Sequence, residues 1–263
     1  MQELYSLENA KKFNWSSVSG DLHVERVGHL ENYIVGNKIL DAGCGGGAFV
    51  EFLSQKGLEV TGVDKYDEFL QVARQQGRSG TYLQCDLTNL PFLDKAFDCT
   101  YCFDVLEHVD DIQAIKELAR VTSKRLIIAV PQKDEIISQF GLIFAQYQDA
   151  SHLRYYTESS LRTLCQTIEP INIEIQQELL VPLTSLFKAT IEPNITQPAS
   201  RIMRNTYKLN TRLFFLNRIL IKLTSILVDL IIDARKLDRL FDSQDYLFKR
   251  INTGLIAIIE LSN

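Results

Sequence analysis

The chain has 263 residues and a formal net charge of −5, room for one large α/β domain or for a core plus an accessory region. Apolar residues make up 46% and charged residues 23%, which excludes global disorder, and the negative balance excludes a general polyanion binder such as a nucleic-acid protein. The start, Met1-Gln-Glu-Leu-Tyr5, has no basic segment followed by an apolar run and does not read as a signal peptide. Five scattered cysteines (Cys44, Cys85, Cys99, Cys102, Cys165) read as reduced thiols of a cytoplasmic protein. Cys99 and Cys102 have the spacing of a redox or zinc pair, but they sit mid-strand without a second ligand pair, so no metal site is expected.

Residues 1–37 read as a helical lead-in, with Leu22, Arg26, Leu30 and Tyr33 at helical spacing and Gly36 closing the segment. It serves either as a lid on a cofactor cleft or as a helix packed on the sheet edge. A strand is predicted at 38–41, a helix from Gly46 to Lys56, and a strand over Glu59–Asp64. A helix over Tyr66–Gln76 stops at Gly77, and strands follow at Thr81–Gln84 and Phe97–Phe103. A helix is predicted over Asp111–Val121, capped by Asp110 or Asp111. The run Arg125–Val130 is continuously apolar after its first residue, which suits a strand buried on both faces. A helix from Thr157 to Ile168, a strand from Asn172 to Val181 and a last strand over Leu255–Leu261 complete the pattern. Strands alternating with helices imply a doubly wound, mostly parallel sheet.

The first strand ends in Asp41-Ala-Gly43-Cys44-Gly45-Gly-Gly47, where alternating glycines permit a sharp turn and close approach of a ligand. The following helix points free N–H groups at that turn. Two cofactor families fit this stretch. Gly43-x-Gly45-x-x-Ala48 with a later acid at Asp64 matches the dinucleotide fingerprint of an oxidoreductase. Asp41 argues for a cationic ligand instead, because a carboxylate there repels a pyrophosphate. Further on come Cys85-Asp86-Leu87 after the third strand, the block Phe103-Asp104-Val-Leu-Glu107-His108-Val after the fourth, and Val130-Pro131 after the fifth.

Taken together, in this order and spacing, these motifs resemble the class I S-adenosylmethionine-dependent methyltransferases of small-molecule type. The resemblance covers about residues 35–181 plus the last strand, with the cofactor-binding core expected over 38–181 and 254–263, and it implies a seven-stranded Rossmann-like sheet whose last strand runs antiparallel between the fifth and sixth. It implies S-adenosylmethionine as cofactor. Asp41, Gly43, Cys44, Gly45 and Gly47 would cradle its methionine end. Asp64 would accept from the ribose hydroxyls, with Lys65 beside it. Cys85, Asp86 and Leu87 would hold the adenine. Phe103 and Asp104 would lie under the sulfonium, and His108 would stand at the cleft. A non-catalytic partner protein of the same fold is the remaining alternative.

Methyl transfer needs alignment and exclusion of water, and a base when the acceptor is a hydroxyl. The phrase Ser151-His152-Leu-Arg154-Tyr-Tyr-Thr157 lies on the acceptor side of such folds. His152 is the candidate base and Arg154 the candidate anchor of an anionic acceptor group; both also suit a merely structural loop. No Asn-Pro-Pro-Tyr-type phrase follows the fourth strand, so an oxygen of a small molecule, lipid or glycan is the expected acceptor, not a nucleobase. Residues 182–253 form an insertion where such folds usually have a short hairpin. Within 201–233 basic residues recur three or four apart between apolar groups, and charges interrupt every apolar run before about 18 residues, so no bilayer span is expected. The insertion reads as an extra helical layer or homodimer face, as a roof over the acceptor pocket, or as a peripheral membrane contact.

Overall fold

A computed structural model describes residues 6–12, 15–133, 151–182 and 250–262. The chain divides into two compact units. The first comprises Met1–Lys133, Ala150–Leu179 and Thr253–Asn263; the second comprises Asp134–Asp149 and Leu180–Asn252. Most of the second, including the expected basic helix over 201–233 and the three readings of the insertion, lies outside the described residues.

The described strands are β1 (Lys38–Ala42), β2 (Glu59–Asp64), β3 (Thr81–Gln84), β4 (Phe97–Phe103), β5 (Thr122–Pro131), β6 (Asn172–Pro182) and β7 (Arg250–Glu260). They form one seven-stranded sheet in the order β3-β2-β1-β4-β5-β7-β6. The first five run parallel, and β7 is antiparallel to β5, with Arg125 opposite Glu260 and Val130 opposite Leu255. The doubly wound sheet is as the alternation of strands and helices predicts, and the reversed last strand is as the family resemblance implies.

Period two along β5 explains why one strand serves two cores. Leu126, Ile128 and Val130 belong to a cluster with Ala114, Ile115, Leu118, Leu161 and Leu164. Ile127 and Ala129 belong to the opposite cluster with Leu30, Val50, Leu53 and Leu70. All five β5 residues are fully buried, so a polar substitution at any of them faces a core.

The helices are α1 (Leu7–Lys12), α2 (Ser16–Ser19), α3 (Val24–Tyr33), α4 (Ala48–Gln55), α5 (Asp67–Gln75), α6 (Asp111–Val121) and α7 (Glu158–Gln166). Asp110 caps α6 by accepting from the Gln113 N–H at 3.1 Å, and Thr157 caps α7 in a reciprocal box with Ser160. Several boundaries differ from the sequence pattern, β7 among them, which starts at Arg250 and not at the expected Leu255. β5 starts at Thr122, immediately after α6, because the buried Thr122 hydroxyl donates back to Leu118 O while pairing with Thr100. The lead-in is three short helices. Gly20, in the left-handed region at φ 87°, ends α2, and this leaves Leu22 outside α3.

Candidate cofactor and acceptor site

The carboxyl ends of β1, β2 and β4 converge because β1 lies between the other two, with Asp41 in register with Gly62 and Tyr101. Asp41 is 4% exposed, and its Oδ2 makes no hydrogen bond among the described residues. Burial pushes its carboxyl up to about 8; the neighbouring Tyr101 hydroxyl pulls it down and the Asp64 charge pushes it further up. A buried acid with an unsatisfied oxygen at the mouth of a parallel sheet suits a cationic partner.

The glycine turn is arranged differently from its simplest reading. Gly43, Gly45 and Gly47 all have positive φ, so the backbone requires them. The space a Cβ would fill is taken by the protein itself, not left for a ligand. Added to Gly43 it would lie 2.3 Å from Val105, to Gly45 2.6 Å from Ser17, and to Gly47 2.5 Å from Tyr82. Cys44 also corrects an expectation: its side chain packs against Gly62 and Val50 in the core, where burial drives the thiol well above its ordinary range. Only its backbone is left to face a ligand.

Asp64 joins the turn to β2. Its Oδ2 accepts from the Gly45 N–H and its Oδ1 from the Tyr66 N–H, both at 2.9 Å. Burial raises this carboxyl, and those backbone donors hold it down. Asp64 does not cap α5, whose cap position is Tyr66. Lys65 pairs with Asp86 at 3.1 Å in a largely solvated bridge. Asp86 Oδ1 accepts from both the N–H and the hydroxyl of Thr88, which holds its carboxyl below the usual range. Leu87 is buried and Cys85 half-buried, its thiol pushed up to about 11 by burial.

At the end of β4, Phe103 meets Phe49 edge-on at 5.9 Å, and the Arg26 guanidinium stands 4.6 Å over its ring. Asp104 has φ 56°, an uncommon backbone for an aspartate, held by its N–H donating to Ala129 O at 2.9 Å. Arg26 donates to Asp104 at 3.1 Å and pairs with the fully buried Glu178 at 2.6 Å. His29 Nε2 lies 3.3 Å from the other Glu178 oxygen. Burial alone would lower the Arg26 pKa; Asp104 and Glu178 raise it above its ordinary value. Arg26, His29 and Glu178 escaped the site reading. The one signal was an arginine on the apolar stripe of the lead-in helix; Glu178 sits in a strand whose pattern carries no hint of a buried acid.

The block after β4 forms a single 3₁₀ turn, Leu106–His108, and the 151–156 segment is fastened onto it. His108 Nδ1 lies 3.1 Å from Ser151 Oγ and 3.3 Å from Ser151 O. The rings of His108 and His152 meet edge-on at 4.6 Å, and His152 meets Tyr155 at 5.2 Å. His108 therefore stands with His152 rather than with the glycine turn's glycines. Glu107, 1% exposed, His108 and His152 present one ligand atom each within 4.8 Å of one another, a juxtaposition the sequence reading did not foresee. Arg154 donates to Leu106 O at 3.1 Å and Val109 O at 2.5 Å and pairs with Asp111 at 3.3 Å. Its guanidinium orders the loop, the structural alternative to an acceptor anchor.

Known proteins place this geometry. Residues 40–129, from β1 to β5, match the methyltransferase domain family. The chain is 40% identical over 98 residues to a ubiquinone biosynthesis O-methyltransferase of Idiomarina loihiensis, a match taking in 34% of this chain and 40% of that protein. It is 38% identical over 95 residues to a malonyl-[acyl-carrier protein] O-methyltransferase of Pectobacterium atrosepticum, taking in 36% and 38%. The chain thus spans less than half the length of either relative. The crystal structure of a SAM-dependent methyltransferase from Archaeoglobus fulgidus superposes with a TM-score of 0.58 over 97% of this chain and 99% of that one, at 17% identity, and shares the fold. Over the stretch from the Asp41 turn to β5, therefore, the chain is similar to methyltransferase domains, and the fold it shares is that of a SAM-dependent methyltransferase.

Proposed function

We propose that the protein is an S-adenosylmethionine-dependent methyltransferase acting on an oxygen of a small-molecule acceptor, a lipid- or glycan-linked one included. The observation that carries this reading is the buried Asp41 carboxyl, with an oxygen left unsatisfied at the carboxyl end of β1. It fits an ammonium and opposes a pyrophosphate. That both relatives above are named O-methyltransferases supports the choice of oxygen.

When bound, S-adenosylmethionine supplies a methyl group already activated by its sulfonium. Asp41 would take the ammonium of its methionine end, and Asp64 the ribose hydroxyls through the lone pairs its backbone donors leave. Leu87 would pack on the adenine, with Lys65, Cys85 and Asp86 at its edge. Phe103 and Asp104, locked by Arg26, would form the floor at the sulfonium. His152 would accept the proton of the acceptor hydroxyl, and its edge contact with His108 would hold the ring in place. The cytoplasm as its place is supported by the reading of the cysteines as reduced thiols.

Titration calorimetry with S-adenosylhomocysteine tests the cofactor assignment, and no heat of binding up to millimolar ligand overturns it. A methyl-donor assay over phenols, catechols and carboxylic acids tests the acceptor class. Replacing His152 with glutamine should lower kcat about a hundredfold and remove the rising limb of the pH–rate profile; an unchanged profile rejects it as the base.

A further inference from the structure

Arg78 lies between α5 and β3, outside every motif of the cofactor site. It is only 8% exposed. Its guanidinium reaches back across the sheet end to three backbone carbonyls. Nη1 donates to Ser17 O at 2.6 Å and to Gly46 O at 2.5 Å, and Nη2 donates to Val18 O at 2.9 Å. Nε faces the Glu51 carboxylate of α4 at 3.5 Å. One side chain therefore ties the carbonyls at the end of α2 to the glycine turn and to the helix that follows it. A four-residue helix cannot satisfy those carbonyls itself, so a buried cation with a rigid donor fork is the suitable partner.

The turn is shaped to receive α2. A Cβ on Gly46 would lie 2.6 Å from Ser17 O, and one on Gly45 2.6 Å from Ser17 Oγ. The same Gly45 offers its N–H to Asp64. The outer side of α2 is anchored by Val18, which packs with Phe69 and Val72. A displacement of α2 thus frees the backbone that aims Asp64.

We propose that Arg78 is a positioning residue for the cofactor turn: by seating α2 on Gly45 and Gly46 it holds the turn in its ligand-competent form and sets the affinity for the methyl donor. The proposal rests on the reading of this turn as the cofactor site. Arg78 touches no ligand in this assignment; it acts through the backbone it holds.

The test compares wild type with Arg78→Met and Val18→Asp in the full chain. S-adenosylhomocysteine affinity is read by calorimetry and amide exchange by mass spectrometry. Val18→Asp unseats α2 by breaking its contact with Phe69 and Val72 and substitutes neither Arg78 nor a residue of the turn. Both variants should speed exchange at Ser16–Gly20. If the seated form falls to about a tenth of the population, affinity falls about tenfold. Arg78→Lys, which keeps the charge but not the fork, should fall between wild type and Arg78→Met. Faster exchange with unchanged affinity overturns the proposal, as does unchanged exchange in Arg78→Met. If Arg78→Met does not fold, Val18→Asp decides on the same two readouts. Wild type that binds no S-adenosylhomocysteine is a different failure: it removes the cofactor reading, and the affinity role of Arg78 with it.

Discussion

The two loop clusters at the carboxyl edge of the sheet are held by different means. Around the glycine turn the carboxylates are answered by backbone: Asp64 takes the N–H groups of Gly45 and Tyr66, and Asp86 takes that of Thr88. Around the end of β4 they are answered by side chains: Asp104 and Glu178 share Arg26, and Asp111 takes Arg154 and the Tyr156 hydroxyl. Backbone donors are fixed by the local fold and need no particular partner residue. Side-chain partners must arrive from elsewhere: Arg26 lies 78 residues from Asp104, and Ser151 lies 43 from His108. The carboxylates of the first cluster take backbone donors close to them in the chain or one strand away, with α2 and Arg78 seated on the turn from farther off. The carboxylates of the second take their charged partners from distant segments, so they are paired only when the lead-in, β6 and the 151–157 segment have docked.

Breaking the second cluster at its most buried point should have the largest effect. Arg26→Ala leaves the fully buried Glu178 without its strongest partner and should cost about 3–5 kcal/mol of unfolding free energy in urea titration. A loss below about 1 kcal/mol would show that this pair is solvated in solution.

Asp41→Asn probes the first cluster and should weaken S-adenosylhomocysteine binding by about tenfold to a hundredfold, the worth of a charge-assisted hydrogen bond. The same substitution carries a pH signature. Because burial lifts Asp41 to about 8, the empty folded protein keeps a proton that the unfolded chain releases near the ordinary carboxyl pKa. The resulting stability is fully present below the unfolded pKa and is lost as pH rises through about 8. Asparagine has no proton to lose. The variant's thermal midpoint without ligand should therefore gain on wild type steadily between pH 5 and pH 8.5, by an amount on the order of a few kcal/mol at the upper end. A pH-independent gap would mean that Asp41 is ionised in the empty protein.

Arg154→Met cuts the 151–157 segment from the turn after β4 and should cost about 1–3 kcal/mol while leaving S-adenosylhomocysteine affinity within about twofold of wild type. Loss of cofactor affinity in this variant would merge the two clusters into one. The smallest effect belongs to Lys65→Met. Its bridge to Asp86 is more than half exposed on the lysine side, so stability should change by less than about 1 kcal/mol.

Legibility followed the same division. The strand ending at Asp41, the turn of the three glycines and the strand ending at Asp64 were readable because they follow one another along the chain. The parallel sheet was readable because strands alternate with helices, and the place of the last strand followed only from the resemblance to a known family. The direction of the Cys44 side chain was not legible, because it stands among the turn glycines in sequence and turns into the core in the fold. The glycines were read for the right conformation and the wrong neighbour, since Ser17, Tyr82 and Val105 reach the turn only through the fold. Arg154 offered two roles that spacing could not separate, and its two carbonyl acceptors after β4 and its ion pair with Asp111 at the start of α6 favour one.

By itself the sequence determined the alternating strands and helices of a mostly parallel sheet and the glycine turn after its first strand, which are properties of local period, turn chemistry and short spacings. The reversed last strand was implied by the resemblance of the motifs to a known family. Only the tertiary structure decided that Arg26 is held between Asp104 and a buried glutamate, that His108 and His152 face each other, and that Arg78 seats α2 on the glycine turn. Each of those depends on side chains meeting across long stretches of chain. Such meetings are set by which faces pack together, and a linear pattern of residue types does not encode them.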